Sequence, residues 1–79
     1  MPVVMRIAGY RVVIFTNDHR PPHVHIIGSD GQVVVSIEAD PRILRIEGFS
    51  DREVVRLAKE VGANADTLLK EWEVIHGKK

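Results

Sequence analysis

His23-Val24-His25-Ile26-Ile27-Gly28-Ser29-Asp30-Gly31-Gln32-Val33-Val34-Val35-Ser36-Ile37 reads as a β-hairpin. Two β-branched runs flank a turn signal, and Asp-Gly supplies the positive φ angles that a tight two-residue turn requires. With Asp30 and Gly31 as that turn, Val34 faces Ile27, Val35 faces Ile26, Ser36 faces His25, and Glu38 faces His23. Side chains alternate along a strand. Val24, Ile26, Val33, Val35 and Ile37 therefore share an apolar face, which predicts the core. His23, His25, Ser36 and Glu38 share the opposite face, with Ile27 and Val34 toward the turn.

Working outward, Val3–Ile7 and Tyr10–Thr16 are two more strand-like runs around Ala8-Gly9, a second tight turn. That turn would set Arg6 opposite Arg11, an unfavourable pair unless an anion or carboxylate intervenes. The ordinary outcome for two such edge arginines is to splay into solvent. Asn17–Pro22 is a loop, Asp40-Pro41 breaks the fourth strand, and Arg42–Glu47 is a short fifth.

Near Gly48 the chain changes character. Ser50 and Glu53 match a capping box, with Phe49 and Val54 at the flanking staple positions. Val54, Leu57, Ala58 and Val61 follow helical spacing, and Gly62 ends or bends this helix. Asn64 or Asp66 caps the next one, whose stripe is Leu68, Leu69, Trp72 and Ile75, closed by Gly77. Trp72 reads as a core anchor and His76 as a partner of the helix dipole.

The expectation is an α+β domain: an antiparallel meander of four to five strands, then two C-terminal helices packed on one sheet face. It spans 1–79, with a β-sheet half at 1–48 and a helical half at 49–79. The second sheet face stays open to solvent, a ligand or another subunit. An apolar patch around Val13 and Phe15 there would need cover, which predicts a dimer or other homo-oligomer.

Composition narrows the classes. A 79-residue chain buries only about 60% of its unfolded surface, so its core is marginal. It has no cysteine, which excludes disulfides and thiolate metal sites. Lys plus Arg equals Asp plus Glu at 11 each, which disfavours nonspecific coating of nucleic acid. The sequence holds neither an apolar run long enough for a membrane span nor a signal-peptide pattern, so a cytoplasmic location is expected.

Asn17-Asp18-His19-Arg20-Pro21-Pro22-His23-Val24-His25 holds three of the four histidines. The plainest reading is solvated surface, with Glu38 a cross-strand partner of His23 worth about 0.2–1 kcal/mol. The Pro pair argues for more, because it stiffens the chain just before His23 and lets Asp18, His19 and Arg20 lean over the strand end. Two chemistries fit these residues. In the first, His23, His25 and His19 act as acid and base near neutral pH while Arg20 grips a phosphate and Asp18, Ser36 and Glu38 bind substrate. Those are the needs of a metal-independent ribonuclease. In the second, His19, His23 and His25, with Glu38 or Asp18, bind zinc or nickel. The spacing matches no standard zinc signature. The alternating pattern of histidine-triad hydrolases fails at Ile27.

Arg6-Ile7-Ala8-Gly9-Tyr10, Asn17–His25, Gly48-Phe49-Ser50 and Leu68-Leu69-Lys70-Glu71-Trp72 together resemble the bacterial family of domain of unknown function 4160. The resemblance covers nearly the whole chain, and Pro21-Pro22-His23-Val24-His25 is its most specific part. It implies a small cytoplasmic prokaryotic protein, commonly encoded beside a second small protein in a suspected toxin–antitoxin pair. The expected function is thus a toxin–antitoxin component acting on RNA or another phosphodiester, with a small antitoxin-like partner. The alternative is a noncatalytic metal- or partner-binding module using the same face. Gly62-Ala63-Asn64-Ala65 departs from the more continuous helical run of relatives.

Overall fold

A computed structural model describes residues 3–77. Five antiparallel strands lie in chain order: β1 (Val3–Ile7), β2 (Tyr10–Val13), β3 (His23–Ile27), β4 (Gln32–Ser36) and β5 (Ile43–Glu47). Two helices follow, α1 (Asp51–Ala63) and α2 (Ala65–His76). This is the expected α+β meander with two C-terminal helices.

Ala8 and Gly9 form the first turn with φ of 52° and 83°, and Arg6 does lie opposite Arg11. The second turn differs from expectation. Its two central residues are Ser29 and Asp30, closed by the Gly28 N–H donating to the Gly31 carbonyl at 2.9 Å. His23 therefore faces Ser36 rather than Glu38, and His25 faces Val34 rather than Ser36. Gly31 is needed elsewhere: a Cβ there would collide with the Glu47 carbonyl oxygen. Its missing side chain serves the approach of β5, not a positive φ in the turn. Sliding the turn by one position moves each partner by two, so every side chain keeps its face.

The helices cover the face of Val12, Val24, Ile26, Val33, Val35 and Ile37, sealed by Val54, Leu57, Val61, Leu68 and Trp72. β2 stops at Val13, short of the expected Thr16. The Phe15 N–H donates to Asp18 Oδ2, and the Phe15 carbonyl accepts from the Asp18 N–H. That local turn removes both groups from the sheet ladder. The loop also folds back over the second face. Val13 is 0% exposed and Phe15 is half-buried against His25, so the expected open patch is covered by the chain itself.

The capping box of α1 is present: the Glu53 N–H donates to Ser50 Oγ, and the Ser50 N–H donates to Glu53 Oε1. That N–H first, then the Tyr10 hydroxyl, holds the Glu53 carboxyl below its ordinary range. Gly62 does not end α1; the break falls at Asn64, the N-cap of α2. A Cβ on Gly62 would lie 2.7 Å from the Ala39 carbonyl oxygen. The glycine admits the β4–β5 connection rather than terminating the helix. Gly62→Ala is expected to destabilise the domain by about 1 kcal/mol or more in urea unfolding, although alanine normally gains about 1 kcal/mol inside a helix. A stabilised variant would overturn this packing argument.

β5 is an edge strand with Ile43, Leu44 and Ile46 exposed. Among the described residues no helix is long and apolar enough to cross a membrane.

Candidate metal centre

The second sheet face carries the chemistry. His23 and His25 alternate with buried Val24 and Ile26 on β3, so both rings emerge on this side. Asp18 reaches them from the preceding loop. One oxygen, Asp18 Oδ1, lies 3.2 Å from His25 Nε2 and 3.5 Å from His23 Nε2. The three side chains are only 12–15% exposed, and one donor atom from each falls within 4.8 Å of the others.

Each group is held from behind. Asp18 Oδ2 is anchored by the Phe15 N–H at 3.0 Å. His23 Nδ1 donates to the Pro21 carbonyl at 2.8 Å, and His25 Nδ1 faces Gln32 Oε1 at 3.3 Å. The Gln32 amide is oriented by its NH₂, which donates to Glu47 Oε1. Hydrogen bonds from Arg45 first, and then Gln32, lower the Glu47 pKa, so this acceptor stays ionised at neutral pH. A carbonyl behind the distal nitrogen is the usual way a protein orients a ligating imidazole.

The helices contribute from the other end of the chain. The Trp72 ring lies 5.4 Å from His23, and His76 packs on Trp72 at 4.1 Å between centroids. His76 Nε2 donates to the Phe15 carbonyl at 3.1 Å, so the last turn of α2 pins the loop that carries Asp18. His76 thus has a structural partner beyond the helix dipole. Only the fold brings it and Trp72 here; nothing in their local sequence points to the site.

The remaining candidates divide. His19 and Arg20 are exposed on the loop, outside the cluster of Asp18, His23 and His25. Ser36 is buried opposite His23, but its hydroxyl donates to Glu38 at 2.6 Å and accepts from the Arg42 N–H at 2.7 Å. Glu38 is exposed and paired with Arg42, and the Ser36 hydroxyl is the main reason its pKa is lowered. Ser36 and Glu38 thus organise the β4–β5 connection. Asp18, read from sequence as an accessory, is the central carboxylate. The signal available for it was its place at a loop turn, where Asp bonds nearby backbone.

The fold and this cluster define a small α+β domain with a two-histidine, one-carboxylate constellation on the non-core side of β3, flanked by the last turns of α2. The chain belongs to the family described as "Domain of unknown function (DUF4160)", whose profile matches residues 9–73. No curated protein and no solved structure matches it.

Proposed function

We propose that this protein is a divalent-metal-binding domain, with Asp18, His23 and His25 as ligands and zinc the best-suited ion. One observation carries the reading: each imidazole faces an oxygen acceptor at both ring nitrogens. A neutral imidazole has one donor and one lone pair. With Nδ1–H donating to the Pro21 carbonyl, the His23 Nε2 lone pair is turned against the same Asp18 oxygen that lies within hydrogen-bond range of His25 Nε2. A cation between the three groups converts that repulsion into coordination. Adding a proton to each ring instead would crowd two positive charges around one carboxylate.

The distances support zinc. Bonds of roughly 2.0–2.1 Å in a tetrahedral site place neighbouring ligand atoms about 3.3 Å apart, and the two N···O separations are 3.2 and 3.5 Å. Three protein donors leave a fourth position open, as in catalytic rather than closed structural zinc sites. An acid–base role on RNA would need the same Nε2 atoms turned outward to a phosphate. Their orientation toward Asp18 favours ion binding over that reading.

Tag-free protein equilibrated with zinc or cobalt(II) is expected to hold one ion per chain by elemental analysis, with the visible spectrum of tetrahedral cobalt. Asp18→Asn or His23→Ala should weaken binding at least tenfold, and His23→Ala with His25→Ala should abolish it. His19→Ala and Arg20→Ala should leave it unchanged. Sub-stoichiometric metal, or equal loss with His19→Ala, would sink the assignment. Histidine-dependent RNA cleavage in excess chelator would establish the acid–base reading instead.

A further inference from the structure

We propose that Arg6 and Arg11 form a second site, separate from the metal cluster, that binds a phosphate group. The two residues are directly opposed on β1 and β2, where like charges are destabilising. Both are exposed. Among the described residues no carboxylate forms an ion pair with either, whereas Arg42 and Arg45 are each paired with a glutamate. The contrast with Arg45 is informative, because its register with Val34, and Val34's with His25, put it on the same sheet face. Arg45 is neutralised from within the chain by Glu47 at 2.8 Å. Among the described residues the Arg6–Arg11 pair has only the Gly9 carbonyl, 3.4 Å from Arg6 Nη1.

These arginines line an open groove of about 400 Å³ where the two hairpin turns meet. Ile27 lines it as well, beside Ser29 and the backbone of Gly9 and Gly28, and no acidic residue does. Tyr10 lines it too, with its hydroxyl donating to Glu53. Two guanidinium forks in one groove suit a phosphate, whose oxygens accept paired hydrogen bonds from each fork and whose charge relieves their repulsion. Free phosphate, a nucleotide and a nucleic-acid strand all present this group. Arg11 faces Ile27 while Val13 faces His25. That step of two residues offsets the pair from His25 by about 7 Å in the strand direction, with Arg11 one strand and Arg6 two strands away across the sheet.

The test is titration of the full chain with inorganic phosphate, adenosine monophosphate and an eight-nucleotide single-stranded RNA, in low-salt chloride buffer, followed by amide NMR shifts. At least one probe is expected to shift Gly9, Arg11, Gly28 and Ser29. Arg6→Gln or Arg11→Gln should weaken binding at least tenfold, and the double variant should abolish it. Binding of RNA alone supports a strand as the source, and comparable binding of phosphate supports a free anion. Without any anion, Arg11→Gln should melt no lower than wild type, which shows that the variant folds. His23→Ala with His25→Ala should still bind phosphate, so this site and the metal site can fail independently. If none of the probes shifts these residues, or if the glutamine variants bind like wild type, the proposal is overturned.

Discussion

Trp72→Ala is expected to leave the domain largely unfolded, or melting far below wild type. Trp72 is 1% exposed and joins α2 to the sheet core while its ring flanks His23. Removing a buried Trp side chain costs about 3–5 kcal/mol. Total stability at roughly 0.05–0.15 kcal/mol per residue comes to about 4–12 kcal/mol for a chain of this length. One substitution thus consumes a large share of the total, and no disulfide supports the fold. Trp72→Phe should behave differently. The buried Trp72 Nε1 has no hydrogen-bond partner, and leaving such a donor unsatisfied costs about 1–3 kcal/mol. Phenylalanine removes that donor while leaving a smaller void, so it should fall within about 1.5 kcal/mol of wild type. Urea midpoints of the three proteins check both statements. An alanine variant with a wild-type midpoint would refute the anchoring role.

Zinc is expected to raise the melting temperature by roughly 10–20 °C when present at a hundredfold excess over its dissociation constant. Such an excess contributes about 2.7 kcal/mol to the folded state, and a domain of this size gains about 4–8 °C per kcal/mol. The site joins the loop at Asp18 to β3, and the loop is also tied to α2 through His76. Metal binding should therefore protect loop, strand and last helical turn together in hydrogen exchange. Chelator should reverse the gain, and Asp18→Asn should remove it without lowering the metal-free melting point to the same extent. A shift retained in Asp18→Asn would place the ion elsewhere. Because Trp72 lies beside His23, its fluorescence offers an independent titration with a quenching ion such as copper or nickel.

The two faces of the hairpin were legible in the sequence because strand alternation has a strict period of two. His23 and His25 could be placed on one side, and Val24 and Ile26 on the other, without knowing the pairing. The register was not legible, because Ser29-Asp30 and Asp30-Gly31 are both credible turns. In the turn that forms, Gly31 lies against the Glu47 backbone, a contact from β5 that no local pattern announces. The capping box at Ser50 and Glu53 was also readable, since both partners lie within one helical turn. The role of Gly62 was not, because its neighbour, Ala39, comes from a distant loop.

The same division governs the site. The sequence by itself determined that imidazoles would gather on the non-core face of β3, beside a loop rich in polar groups. Tertiary structure alone decided which groups complete the cluster. It selected Asp18 through a backbone turn at Phe15, left His19 and Arg20 outside, and brought Trp72 and His76 across from α2. The physical reason is range. Alternation and capping act between near neighbours, whereas convergence of donors depends on how loop and helix pack, and that packing is set by contacts across the whole chain.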